Sequence, residues 1–223
     1  MRIIKGIIFD VDGVITKSEN IHFDAYKKIL KGYRFDLTHD NFIRWFLGKS
    51  IKGGITSFLA DNKLNIDINT FIQQKIDTTV GIYAENISFY QDTIDFIHKV
   101  SQGDIELRDI GHVKGKPILA MVTGLERVFM DILVKYKNFD KLFPIIVTAT
   151  DYSQSKPDPE CINITLSKSG LTASEVIGIE DSPSGIKALN NAGVFSIGIT
   201  NTQKKEALSK ASLIVNSLMS LFS

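Results

Sequence analysis

Short apolar runs and longer segments of helical spacing alternate along the chain. Residues 6–9, 117–122, 145–147, 176–179 and 195–199 are rich in β-branched and aromatic side chains, and helical patterns lie between them. Continuous apolar runs of this length suit strands buried on both faces. Strands separated by helical patterns build a parallel sheet covered on both sides. The pattern predicts an α/β fold with a doubly wound, Rossmann-like parallel sheet. One stretch breaks the alternation. From about residue 19 to 87 the apolar positions keep helical spacing, through Phe42, Ile43, Trp45, Phe46 and Leu47, then Phe58 and Leu59, then Phe71, Ile72 and Ile76. Lys52-Gly53-Gly54 and Asn65-Ile66-Asp67 read as turns between these segments. The region is predicted to be an α-helical cap (19–87) inserted into a core made of 1–18 and 88–223. Hinges are expected near 16–18 and 86–91.

Composition bounds this picture. The chain has 223 residues, 43% of them hydrophobic and 23% charged, which is enough for one substantial core and a small accessory domain. A net charge of +1 offers no electrostatic case for nucleic acid or an acidic membrane surface as partner. Cys161 has no second cysteine for an intramolecular disulfide, and no histidine–cysteine spacing suggests zinc. Lys5 and Asp10 interrupt the apolar N-terminal run before a signal-peptide core or membrane span is complete. The expectation is a soluble, cytoplasmic monomer.

Polar residues at the strand ends bring in chemistry. Asp10-Val11-Asp12-Gly13 follows Ile7-Ile8-Phe9 directly, so two carboxylates leave the end of a buried strand together. Two such groups repel unless a cation neutralises them, and a divalent metal is the obvious candidate. Ile118 to Val122 runs into Thr123-Gly124 and then into the helical pattern of Val128, Ile132 and Leu133, offering an anion a hydroxyl and backbone N–H groups. Ser155-Lys156-Pro157-Asp158-Pro159-Glu160 leaves a lysine on the loop before a helix. Val176 to Ile179 ends in Glu180-Asp181 and a helix start at Ser182-Pro183. Each segment alone also reads as structural: turn-capping aspartates, a helix-capping threonine, a solvated lysine, acids beside a helix dipole.

Their joint order, strand-DxDG, strand-TG, Lys-Pro, strand-ED, resembles the haloacid dehalogenase superfamily of phosphohydrolases from residue 7 to about 199. Gly13-Val14-Ile15-Thr16, the Ser-Lys-Pro-Asp-Pro-Glu stretch and the Glu-Asp-Ser-Pro-Ser-Gly-Ile stretch look closest to the branch of phosphoglycolate phosphatases and β-phosphoglucomutases. The resemblance implies a magnesium-dependent phosphatase acting on a small phosphorylated metabolite. Asp10 is the candidate nucleophile, since a carboxylate can accept a phosphoryl group. Asp12 is the candidate acid and base. By resemblance, Asp10, the backbone carbonyl of Asp12, and Asp181 ligate Mg2+, with Glu180 acting directly or through water. Lys156 offsets the negative charge and touches phosphate, while Thr123, Gly124 and Val11 hold its oxygens.

Substrate choice falls to the cap, because the core motifs see only phosphate and metal. Aligning Thr16, His22 and the Gly48-Lys49-Ser50 turn with the family makes Thr16, His22, Lys52 and Lys75 candidate substrate contacts. His22 reads equally as a structural hydrogen-bond partner, and Lys52 and Lys75 as solvated lysines. Lys52 stands in the region where the mutase pattern has an arginine, and a lysine does not reproduce a bidentate phosphate clamp. Phosphatase is therefore preferred to a β-phosphoglucomutase-type mutase, and a non-catalytic ligand-binding protein on the same fold is the third reading. Residues 101–116 are longer than the family's usual connection and are expected to be an inert surface excursion. Tyr90-Gln91-Asp92-Thr93 lacks the Pro-Gly turn often found where the cap returns to the core.

Overall fold

The computed structural model describes residues 2–47, 49–137 and 139–222. It contains one seven-stranded sheet. The strands are β1 (Arg2–Phe9), β2 (Ile105–Leu107), β3 (Gly111–Val122), β4 (Ile145–Val147), β5 (Val176–Glu180), β6 (Phe195–Ile199) and β7 (Leu213–Val215). Their order is β2-β3-β1-β5-β6-β7, with β4 also paired to β3. Only the β2–β3 pair is antiparallel. Helices α5 (Gln91–Val100), α6 (Arg127–Lys137), α7 (Glu160–Ser169) and α8 (Pro183–Asn191) connect the strands. Ile7, Ile8 and Phe9 are all buried, as a strand covered on both faces requires, and Phe9 packs edge-on against Phe96 and Phe143.

The chain divides into two compact units, Met1–Lys17 with Phe89–Ser223, and Ser18–Ser88. The second is all-helical: α1 (Glu19–Gly32), α2 (His39–Trp45), α3 (Ile51–Asp61) and α4 (Ile68–Asn86). Its core is aromatic, with Tyr26 stacked on Phe46 at 3.9 Å and Phe58 meeting the Trp45 and Phe35 rings at 5.2 and 5.0 Å. Thr38, Ser50 and Asp67 cap α2, α3 and α4 by accepting backbone N–H bonds from Asn41, Gly53 and Thr70.

Three expectations about elements are corrected. Lys52-Gly53-Gly54 is not a turn but lies in the first turn of α3. A Cβ on Gly54 would come within 2.9 Å of the Trp45 carbonyl oxygen, so the residue permits close approach rather than a change of direction. The 101–116 excursion belongs to the sheet: Ile105 and Leu107 pair with Val113 and Gly111, which pair in turn with Ile4 and Arg2. Leu107 and Val113 are fully buried. Polar Glu106, His112 and Lys114 mask the short alternation and the start of β3, and Lys5 likewise places the start of β1 later in the sequence reading than in the structure. β7, only three residues long and half-buried, carried too weak a pattern to be read. Gly48 of the Gly48-Lys49-Ser50 turn lies outside the described residues. Among the described residues no helix is long and apolar enough to cross a membrane.

Candidate active site

Strand register assembles the site. Phe9 is paired with Met121 of β3 and with Ile179 of β5, so the next residue along, Asp10, stands beside Val122 and Glu180 at the carboxyl ends of three adjacent strands. Ligands gather there in doubly wound sheets. The Asp10 N–H donates to the Ile179 carbonyl at 3.0 Å, after which the chain turns sharply. The Val11 carbonyl accepts N–H bonds from Ile15 and Thr16 at 2.8 and 2.9 Å. Gly13 has φ +79°, and a Cβ there would collide with the Asp181 carboxylate. This turn admits only glycine for both reasons.

Lys156 lies at the centre. Its Nζ donates to Asp10 Oδ1 and Glu180 Oε1, each at 2.6 Å, and to the Val122 carbonyl at 3.3 Å. Glu160 braces the lysine loop, its Oε2 accepting from the Ser153 and Gln154 N–H groups at 3.0 and 2.6 Å. Glu180 is held further by Ser182, whose hydroxyl donates to Oε2 at 2.8 Å and also caps α8. Thr123 is buried beside Val122, where its hydroxyl accepts the Leu125 N–H at 3.1 Å and its carbonyl accepts the Tyr152 hydroxyl at 3.1 Å. Gly124 follows, exposed.

Asp10, Glu180 and Asp181 are buried and offer carboxylate oxygens within 4.8 Å of one another. Three carboxylates share one ammonium, so the group carries surplus negative charge. Burial and then the Glu180 charge push Asp10 well above the ordinary carboxylate range, against the pull of Lys156. Burial, then Glu180, raises Asp181 to about 7, although the Thr202 hydroxyl opposes the shift. Burial disfavours the Lys156 ammonium, but Asp10 and Glu180 outweigh it and hold this amine well above the lysine range. A small hard cation fits these residues: the donors are all oxygen, they converge, and the cluster is overcharged in the sense a divalent ion relieves. The cluster could therefore bind a metal.

The remaining predicted residues fall into two places. Asp12 belongs to the turn, with its Oδ1 accepting the Thr16 hydroxyl at 3.2 Å, and its carboxylate is not one of the three converging acids. Thr16 is fully buried and also reaches the Val11 carbonyl. His22, Lys52 and Lys75 lie in the helical unit. Lys75 is fully buried, with its Nζ 2.9 Å from His22 Nδ1 and 2.7 Å from the Thr79 hydroxyl, over the Tyr26 ring. Lys52 is exposed on α3, and its carbonyl accepts the Thr56 hydroxyl.

Sequence reasoning passed over Tyr152, Asn201 and Thr202. Burial pushes the Tyr152 phenol up to about 12, so it stays a proton donor to Thr123. Asn201 Nδ2 donates to the Gly13 carbonyl at 2.7 Å, and the Thr202 hydroxyl makes a short hydrogen bond to Asp181. A usable signal for the latter two was present: they follow the apolar run 195–199, and the rule that ligands collect at strand ends applies to that strand as to the others.

Fold and cluster together give an α/β protein with a candidate active site at its strand ends. The chain belongs to the haloacid dehalogenase-like hydrolase family, whose pattern matches residues 7–199. It is a phosphoric monoester hydrolase. It is 28% identical to validoxylamine A 7'-phosphate phosphatase of Streptomyces hygroscopicus subsp. limoneus, over 96% of this chain and 94% of that one. It is 26% identical to β-phosphoglucomutase of Bacillus subtilis, over 89% and 84% of the two chains. The fold matches the crystal structure of CbbY from Rhodobacter sphaeroides in complex with phosphate, with a TM-score of 0.81, 20% identity and coverage of 96% and 95%.

Proposed function

We propose that this chain is a magnesium-dependent phosphatase of a small phosphorylated metabolite, a sugar phosphate or a phosphoglycolate-like acid, working through an aspartyl-phosphate on Asp10. The observation that carries the reading is Lys156 Nζ bridging Asp10 and Glu180 within a buried, overcharged acid cluster at the strand ends. Asp10 Oδ attacks phosphorus as the bond to the leaving alcohol oxygen breaks. Asp12, oriented by Thr16, gives that oxygen its proton and then takes one from the water that attacks the aspartyl-phosphate, releasing inorganic phosphate. Lys156, the Thr123 hydroxyl and the N–H groups near Val11 and Gly124 meet the phosphoryl oxygens, whose charge spreads in the transition state. Asp10, the Asp12 carbonyl, Asp181 and, directly or through water, Glu180 would hold magnesium. When bound, the ion supplies positive charge that offsets both the acids and the phosphate.

The same proposal divides the chain into a catalytic core, 1–18 and 88–223, and a cap, 19–87, whose Lys52, Lys75 and His22 bear on the leaving group, with Thr16 at the hinge. The β-phosphoglucomutase relative supports a mutase as second reading, and Lys52 in place of an arginine argues against it. Retention of every charged core position argues against a non-catalytic protein. A screen of phosphorylated metabolites with inorganic phosphate as readout decides among the three. Phosphate released in magnesium and abolished by EDTA supports the phosphatase. A product that keeps its phosphate and needs a bisphosphate activator supports the mutase, and no turnover across the panel revives the binding protein.

A further inference from the structure

The loop after β6 contributes no charge at residues 200–203 and belongs to none of the four motifs, yet it is bonded to two of them. Asn201 fastens the Gly13 carbonyl at 2.7 Å, on the turn that follows Asp10 and Asp12. One residue later the Thr202 hydroxyl donates to Asp181 Oδ2. Gly13 fills the space between them: a Cβ there would strike the Asp181 carboxylate and come within 3.0 Å of Thr202 Cγ2. We infer that Asn201 and Thr202 are positioning residues that hold the Asp10–Gly13 turn and the Asp181 carboxylate in the mutual arrangement magnesium requires, an inference that rests on the magnesium reading above.

The need for such a brace follows from the charge in the cluster. With several carboxylates converging, mutual repulsion drives Asp181 away from Asp10 and Glu180, and its side chain has two torsions through which to swing. A hydroxyl donor on one oxygen opposes that swing and leaves the other oxygen directed. Asn201 acts on the backbone side. The Gly13 N–H donates to the Thr16 carbonyl at 2.9 Å and the Gly13 carbonyl accepts from Asn201, so the peptide planes on both sides of Gly13 are fixed. The Asp12 carbonyl lies in the first of those planes, opposite the Gly13 N–H, and its direction is set with it. Neither residue meets the substrate in this account. Partners standing behind metal ligands in this way are worth about 10- to 100-fold in metal affinity.

The test is titration calorimetry of magnesium into the full-length protein, paired with thermal unfolding in EDTA, on wild type, Thr202→Val, Thr202→Ser and Asn201→Ala. Thr202→Val should weaken magnesium binding about 10- to 100-fold, Asn201→Ala about 10-fold, and Thr202→Ser should stay within about threefold of wild type. At saturating magnesium the KM for a small aryl phosphate should remain within about threefold for all of them, because uniform substrate binding is untouched. A folded Thr202→Val or Asn201→Ala that binds magnesium like wild type overturns the inference, and so does Thr202→Ser binding as weakly as Thr202→Val. If Thr202→Val unfolds in EDTA, Thr202→Ala and Asn201→Ala decide by the same limits. Wild type that binds magnesium but releases no phosphate from any substrate defeats the phosphatase reading alone, and calorimetry still decides the role of the loop. Wild type that binds no magnesium defeats both.

Discussion

Lys156 in the α/β unit and Lys75 in the helical unit are both withdrawn from solvent, and the contacts described for them differ in kind. Lys156 has 12% of its side chain exposed and meets two carboxylates of a cluster that holds a third. Lys75 has no exposure and meets a histidine nitrogen, a hydroxyl and an aromatic face. The first lysine sits among more carboxylates than it can balance, and the second meets an imidazole, a hydroxyl and an aromatic ring. A cluster whose own charges do not balance is suited to receive a cation from outside, whereas the Lys75–His22 contact ties α4 to α1. Burial of a charge thus points to chemistry only together with its balance.

The strongest way to break this contrast is at Asp10. Asp10→Asn nearly preserves volume and removes surplus negative charge, so the protein should fold while turnover disappears. Asp12→Asn should lower kcat by about 100- to 10,000-fold for a substrate with a poor leaving group. Wild-type rates in purified Asp10→Asn would refute the nucleophile, and a loss of only a few-fold at Asp12 would refute the acid.

Lys156→Ala comes next. Removing this cation leaves Asp10 and Glu180 buried together, which should destabilise the metal-free protein by about 3–5 kcal/mol, and kcat/KM should drop for every substrate alike. The same surplus charge fixes a pH dependence. Asp181 titrates near 7 when folded and near 3.8 when unfolded, so between those values the folded protein holds the extra proton and loses stability as pH rises. In EDTA the melting temperature should therefore fall from about pH 4 to pH 7, and Asp181→Asn should flatten the slope. Magnesium at about 100 times its Kd should add about 2.7 kcal/mol at pH 7. A melting temperature that climbs over this range in wild type, or ignores magnesium, contradicts the account.

Within the helical unit the contrast can be sharpened. Lys75→Ala strips a buried hydrogen-bond partner from His22 and Thr79 and should cost about 1–3 kcal/mol by denaturant unfolding. Lys52→Ala, at an exposed position, should stay within about 0.5 kcal/mol while changing the ranking of phosphorylated substrates. Equal stability losses at the two sites would erase the distinction between them. The smallest effect belongs to Glu175, on the surface. The Lys5 ammonium, with help from the Thr172 N–H and hydroxyl, holds its carboxyl down to about 2. That contribution is complete above about pH 4.5 and is lost as pH falls through about 2. Glu175→Gln should therefore shave the acid limb of the stability profile and leave neutral pH nearly unchanged.

The catalytic half of the molecule was legible because its strands are long apolar runs that stop at chemically unusual residues. Ile7-Ile8-Phe9 before Asp10 and Val176 to Ile179 before Glu180 announce both element and site. The β2–β3 hairpin was not legible, since the three-residue β2 and the polar start of β3 look like loop. Gly53 and Gly54 misled because a glycine that permits close helix contact is written the same way as one that turns the chain. Asn201 and Thr202 were passed over because they carry no charge, although their place directly after the apolar run 195–199 was a usable signal.

The register of β1 also has a consequence in time. The strand carrying Asp10 is made before both of its neighbours, Gly111–Val122 and Val176–Glu180, which lie far along the chain. The aromatic cluster of the helical unit, from Tyr26 to Phe71, is entirely local by comparison. At about 5–20 residues per second, a ribosome needs about 5–20 s for each hundred residues. A nascent chain therefore holds all the residues of its helical core while β1 still waits, unpaired and apolar, for the partners that will bring Asp10 beside Glu180. Until they arrive, the strand bearing Asp10 is an exposed apolar segment of the kind that chaperones shield during synthesis.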